Sequence, residues 1–230
     1  KMSYKNYLLL QVNDSLFPIG AYSHSYGLET YIQKEIIHDV KSAKRYIKSK
    51  LEMDFLYSEL LPIKLAYEYG INNDIDKLMD LEEIIEASRA PEEIRAASHK
   101  LGSRFIKTIS NLEISYDSDI FRKYIEARKG SYVNYNIVYG VFCSATGIEY
   151  DATLERFLYG QTSAMITNCV KSIPLSQTDG QKLLVGCYED FTKLLNKLKD
   201  LNEDMLCIST PGFDIRCMEH EGLYSRIYMS

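Results

Sequence analysis

Two pairs of side chains in this sequence have the chemistry and the spacing to hold a metal ion. Cys217-x-x-His220 offers a soft thiolate and a borderline imidazole, a pairing suited to Ni²⁺ or Zn²⁺. Glu35-x-x-His38 matches the element by which helical di-iron bundles aim a carboxylate and an imidazole inward. Both are incomplete. A closed site wants four protein ligands, which Cys217 and His220 reach only by meeting a second copy across a symmetric dimer. The di-iron arrangement needs a second E-x-x-H, which the sequence lacks. The competing readings are a tail that docks without metal and a solvated helix. Ser23, His24 and Ser25, near Asp14, are the residue types of a nucleophilic triad. Neighbours on a helix point in different directions, however, and no G-x-S-x-G elbow is present, so local capping is the simpler role.

Other chemistries are excluded by missing parts. Cradling a nucleotide needs G-x-x-x-x-G-K-[ST] or G-x-G-x-x-G, and neither occurs, so the chain is not expected to hydrolyse GTP or bind a dinucleotide by itself. A formal charge of −5 and a pI near 5.5 provide no general attraction for nucleic acid or anionic lipid. No apolar run approaches the length that spans a bilayer, and the residues after Lys1 lead into no signal-peptide core, so the expected compartment is the cytoplasm. Lys1 ahead of Met2 reads as an addition, with Met2 the expected natural start. Cys143, Cys169, Cys187, Cys207 and Cys217 are odd in number and contain no C-x-x-C, which predicts reduced and mostly buried thiols. Nineteen Tyr and no Trp suit interfaces, because a Tyr ring packs while its hydroxyl stays wet, although any one of them equally suits the border of a helical core.

The positioning elements read as helices. A short apolar helix ends at Leu9, Leu10 and Val12, and Pro18 and Gly20 then force a loop. Helix resumes from His24 to Lys34, and Ala43, Ile47, Leu51 and Phe55 place one stripe on a long core helix between Ala43 and Leu65. After a turn at Gly70 and Asn72 to Asp74, helical spacing returns up to Ser88, and Pro91 opens a further helix, as its first helical residue, running to about Ile109. The run Ile137 to Phe142 fits a buried strand or a helix, and its helical neighbours tip it to helix. Asp151 is the expected N-cap of a helix ended by Pro174, and Phe191 to Leu201 mark the last long amphipathic helix. The expected fold is all-α, a single-domain bundle of about eight to ten helices over residues 2–230. The segment after Thr210-Pro211-Gly212 is read as a tail outside the main bundle.

Two segments carry more than generic chemistry. Residues 9–29, LLQVNDSLFPIGAYSHSYGLE, and the terminal HEGLYSRIYMS from His220 resemble the signatures of the urease accessory protein UreF family. Pro174 to Gln181 (PLSQTDGQ) and Leu101-Gly102-Ser103-Arg104-Phe105 resemble two further elements of that family, in the right order along nearly the whole chain. The sequence departs from the family pattern in having Asn134-Tyr135-Asn136 before Gly140 where a His-x-Pro run is usual, Lys171 for Arg, and Ser176 for Gly.

The resemblance implies an all-α homodimer that joins UreD (also called UreH) and the GTPase UreG to deliver nickel to apo-urease. It implies no covalent change in a substrate and no stably bound cofactor, with nickel at most in transit. Phe17, Tyr22, His24 and Glu29 on and after the Pro18 loop, Gln177, and His220, Glu221, Tyr224, Ser225 and Arg226 in the tail 211–230 are then the expected partner contacts, with intramolecular packing as the competing reading of both segments. A second class of function, a helical small-molecule or metal-binding enzyme, would use His24, Glu29, Glu35 and His38.

Overall fold

The computed structural model describes residues 3–20, 27–89, 91–206 and 211–221, and among them there is helix and no strand. At the centre lie α4 (Leu61–Ile71) and α8 (Tyr135–Ala145), labelled by chain order. Every residue of α8 is buried, which is how a helix that is apolar on all sides must sit. The run Ile137 to Phe142 is therefore the middle of a helix. The two helices meet closely because Gly140 has no side chain: a Cβ there would stand 2.8 Å from the Ile63 carbonyl oxygen and 2.9 Å from the Ala66 Cβ.

The other helices wrap this pair. α6 (Glu92–Ser110) lies against α8, and Gly102 is what lets it approach, since a Cβ there would come within 2.8 Å of the Val133 carbonyl oxygen. α5 (Ile75–Ser88) and α7 (Ile120–Ala127) cover the pair near one end, and α9 (Tyr150–Ser172) carries α10 (Gln177–Val185) and α11 (Tyr188–Lys199). Lys64 fastens α11 to the centre: its buried Nζ donates to the carbonyls of Leu198, Lys199 and Leu201, at and just beyond the end of that helix.

The long core helix is present, but it is not α-helical throughout. α3 (Val40–Ser49) starts from a reciprocal Asp39/Ser42 capping box, continues as a π-helical stretch over Lys50–Leu60, and runs into α4. Ala43, Ile47, Leu51 and Phe55 are all buried on its inner face. Pro62 accounts for the change of register. It has no N–H for the Ser58 carbonyl four residues back, and its ring crowds that oxygen. The chain widens instead, with Leu61 N–H reaching Leu56, and the Ser58 oxygen accepts Asn136 Nδ2 at 3.1 Å and Arg89 Nη2 at 3.4 Å.

Helix starts differ in detail from the sequence expectation. Glu149, not Asp151, caps α9, and Asp151 sits in its first turn, where a carboxylate favours the positive end of the helix. Pro91 is the cap of α6 rather than its first residue, with Glu92 and Glu93 following. The helix expected from His24 to Lys34 is α2 (Leu28–Gln33), which starts later because Gly27 is its left-handed N-cap, and Lys34 is its C-cap; residues 24–26 lie outside the described ones. α12 (Pro211–Glu221) packs on α2 and α6, so the first half of the segment read as outside the bundle is docked on it. No helix among the described residues is long and apolar enough to cross a membrane.

Candidate partner-binding face

The amino-terminal signature is held to the body residue by residue. α1 (Tyr4–Val12) buries Leu8, Leu9 and Val12, and Asn13 then donates from Nδ2 to the Leu9 carbonyl and to the Tyr139 hydroxyl, both at 2.9 Å. Asp14 Oδ1 accepts the Leu16 N–H at 2.7 Å, a side-chain turn that sends the chain back toward the core. Phe17 enters that core, its ring centroid 5.6 Å from that of Phe105, and Arg104 Nη1 donates to the Ile19 carbonyl at 3.2 Å. The two motifs thus meet in space. Phe17, expected as a presented anchor, is 6% exposed and is a core residue; its neighbour Leu16, at 88%, is the side chain that faces out.

Gly27 opens α2 with φ +83°, a left-handed conformation that glycine adopts without strain. It is also where the carboxy-terminal helix lands. A Cβ at Gly27 would lie 3.0 Å from Cys217 Sγ and 3.1 Å from its backbone N, so a side chain there would press on α12. Lys34 Nζ meets Glu219 Oε1 at 2.5 Å, Arg216 Nη1 meets Glu219 Oε2 at 2.6 Å, and the Arg216 guanidinium sits 5.5 Å over the Tyr31 ring. Cys217 faces inward; Ile215 and Met218, three residues apart, face out at 50% and 43% exposure.

Several expected site residues take other roles. Glu29, expected as a partner contact, is buried on α2. Cys217 is buried, and that burial pushes its thiol up to about 12, against the opposing pull of Lys50. The Glu35-x-x-His38 pair runs through a turn: Glu35 has φ +55°, and the His38 ring nitrogen lies 3.0 Å from the Glu35 carbonyl oxygen. Its spacing therefore does not place both side chains on one helical face. Among the described residues no group of three or more His, Cys, Asp or Glu is placed to hold a metal ion. Gln177 is exposed as the first residue of α10, between the Ser176 and Asp179 of its capping box. Ser176, the departure from the family's Gly, is thereby a helix cap. Tyr22, His24, Tyr224, Ser225 and Arg226, and the side chains of His220 and Glu221, lie outside the described residues.

Sequence reasoning missed three buried polar clusters. Glu82, fully buried on α5, accepts Tyr124 Oη, the Asn134 N–H and, at 2.8 Å, Asn134 Nδ2, with Arg128 4.0 Å away. Glu59 accepts Asn136 Nδ2 at 2.8 Å beside Arg89. Lys50 pairs with Asp54 at 2.5 Å. The signal for the first two was the Asn134-Tyr135-Asn136 departure, where two amides stand at the entry to an apolar helix. For the third it was a Lys and an Asp four residues apart along the core stripe.

Glu82 sets a pH dependence. Burial raises its carboxyl above the ordinary value, and the bonds from Tyr124 and Asn134 oppose this only in part. A raised folded-state value means that this group stabilises the fold most below its unfolded value, about 4.5, and that the benefit fades as pH rises through the folded value. Glu82→Gln keeps the shape without the charge, and the Asn134 Oδ1, buried and without a partner, can turn to accept the new amide. Urea melts at pH 4.5 and pH 7 should show the wild type losing stability relative to Glu82→Gln as pH rises; parallel curves would contradict this.

The UreF family model matches residues 37–188. The chain is 33% identical over 223 residues to the urease accessory protein UreF of Actinobacillus pleuropneumoniae serotype 5b, covering 96% of this chain and 97% of that one. It is 34% identical over 229 residues to the UreF of Lachnoclostridium phytofermentans, covering 98% and 99%. It is 33% identical over 224 residues to that of Bacillus sp. strain TB-90, covering 96% and 97%. With the family model matched over residues 37–188 and relatives aligned over nearly the whole chain, the chain belongs to the UreF family of urease accessory proteins.

Proposed function

We propose that this chain is a non-catalytic cytoplasmic adaptor in nickel insertion: as a homodimer it joins UreD/UreH and the GTPase UreG into the complex that matures apo-urease, and it modulates the GTPase. The face that meets a partner is the outer side of α12 with residues 222–230. The observation that carries this reading is the seating of α12. Gly27 and Cys217 lock its inner side to α2, while Ile215 and Met218 stay exposed beside the point where the tail continues. A rigid helix offering two apolar side chains freezes few rotamers on binding and makes an economical anchor. The enzyme reading loses support, since Glu29 is buried and Glu35 and His38 share a turn.

Met218→Asp changes an exposed position and should leave the unfolding midpoint unchanged. Burying that carboxylate against UreD should cut co-purification by about tenfold or more. Wild-type recovery of UreD would count against this face.

A further inference from the structure

Away from α12, at the carboxy-terminal end of α4, an open cleft of about 280 Å³ is lined by Tyr67, Glu68, Ile71, Asn72 and Tyr150. We propose that it receives a single arginine side chain from a basic segment of a protein partner. This does not rest on the α12 face, and either can fail alone.

Independent features of the cleft favour a cation with a flat, partly apolar body. Tyr67 and Tyr150 form an aromatic corner, their centroids 5.4 Å apart at 66°, and the Tyr67 hydroxyl is already committed to the Ile148 carbonyl at 2.6 Å. Their rings rather than Tyr67 Oη are left to meet a ligand, and ring faces attract guanidinium groups. Glu68 in the wall forms no ion pair among the described residues, and neither do Glu149 and Asp151 beside Tyr150. Lys64, one turn before Glu68 and the obvious helical partner for it, is instead spent on the carbonyls of α11. The last turn of α4 carries no basic residue, so the negative end of its dipole at the cleft meets only backbone N–H groups and no side-chain cation of its own. The cations nearby are engaged elsewhere: Lys77 sits 5.2 Å over Tyr69, Lys123 Nζ donates to Asn73 Oδ1 at 3.3 Å and Lys5 pairs with Asp117, none of these partners lining the cleft. Ile71, 59% exposed, gives the stem of a long side chain an apolar rest.

Glu68 is not expected to be critical to the fold, and Glu68→Gln preserves its shape. The probe is the capped tripeptide Gly-Arg-Gly, compared with capped Gly-citrulline-Gly, which replaces the guanidinium by a neutral urea of the same shape. Both are titrated into the full chain while the backbone amide resonances of Glu68, Ile71 and Asn72 are followed by NMR. The arginine peptide should shift these resonances with a dissociation constant on the order of a millimolar, about fivefold or more tighter than the citrulline peptide. Glu68→Gln should remove that difference. Equal affinity for the two peptides in the wild type, shifts confined to other regions, or an unchanged arginine preference in Glu68→Gln would each overturn the proposal.

Discussion

Replacing Lys50 by alanine should destabilise the protein by about 3–5 kcal/mol, the usual consequence of leaving one half of a buried ion pair alone. Lys50 is 8% exposed on the π-helical stretch, and its Nζ meets Asp54 at 2.5 Å. Burial works against the ammonium charge, but Asp54 together with Tyr46 and Cys217 outweighs it and holds Lys50 above its ordinary value. Without Lys50 the Asp54 carboxylate stays in a place with little water, next to Asp214 of α12, whose own carboxyl is raised by burial and by Asp54. The damage should therefore reach the docking of α12 as well as the core. A double replacement, Lys50→Met with Asp54→Leu, should recover much of the loss, because the pair itself contributes little compared with apolar packing of the same volume. Urea unfolding of the three proteins measures this. A single variant as stable as the wild type would show that Asp54 finds another partner.

Phe105→Ala should cost about 3–5 kcal/mol, the range for removing a large aromatic ring from a packed core. Phe105 is fully buried, with ring centroids of Phe142 at 5.2 Å, Phe17 at 5.6 Å and Tyr135 at 5.9 Å. It is thus the shared neighbour of α8 and the amino-terminal signature. Its loss should loosen the loop at Phe17 and Ile19 as well as lower the midpoint, and limited proteolysis should cut residues 13–27 first. Uniform proteolysis with an unchanged midpoint would contradict this role.

The bundle was legible because its cues are local and periodic. The stripe Ala43, Ile47, Leu51 and Phe55 needs only spacing to be read, and it is buried as that spacing demands. The π-helical register was not legible as such, although Pro62 was in plain view, because a proline in a helix can equally kink or end it. The recognition motifs were visible, but their division of labour was not. Phe17 in the Pro18 loop and Glu29 in the helix after it look like presented side chains, and only the packed bundle, with Phe105 against Phe17, reveals that both are buried. Asn134 and Asn136 read as departures from a pattern, whereas in three dimensions they are partners for Glu82 and Glu59, from elements 52 and 77 residues away. Long-range polar pairing of this sort has no period in the sequence.

The most direct test of the adaptor account is urease maturation in cells that supply all other components and either this chain or a version ending at Glu221. The truncated protein keeps α12 and should accumulate and unfold like the full chain. The urease isolated with it should contain little nickel and show activity near that of cells lacking the chain, and UreD should no longer co-purify with the truncated protein. Urease that is fully loaded with nickel and active beside the truncated chain would contradict the claim that residues 222–230 and α12 together form the partner-binding face.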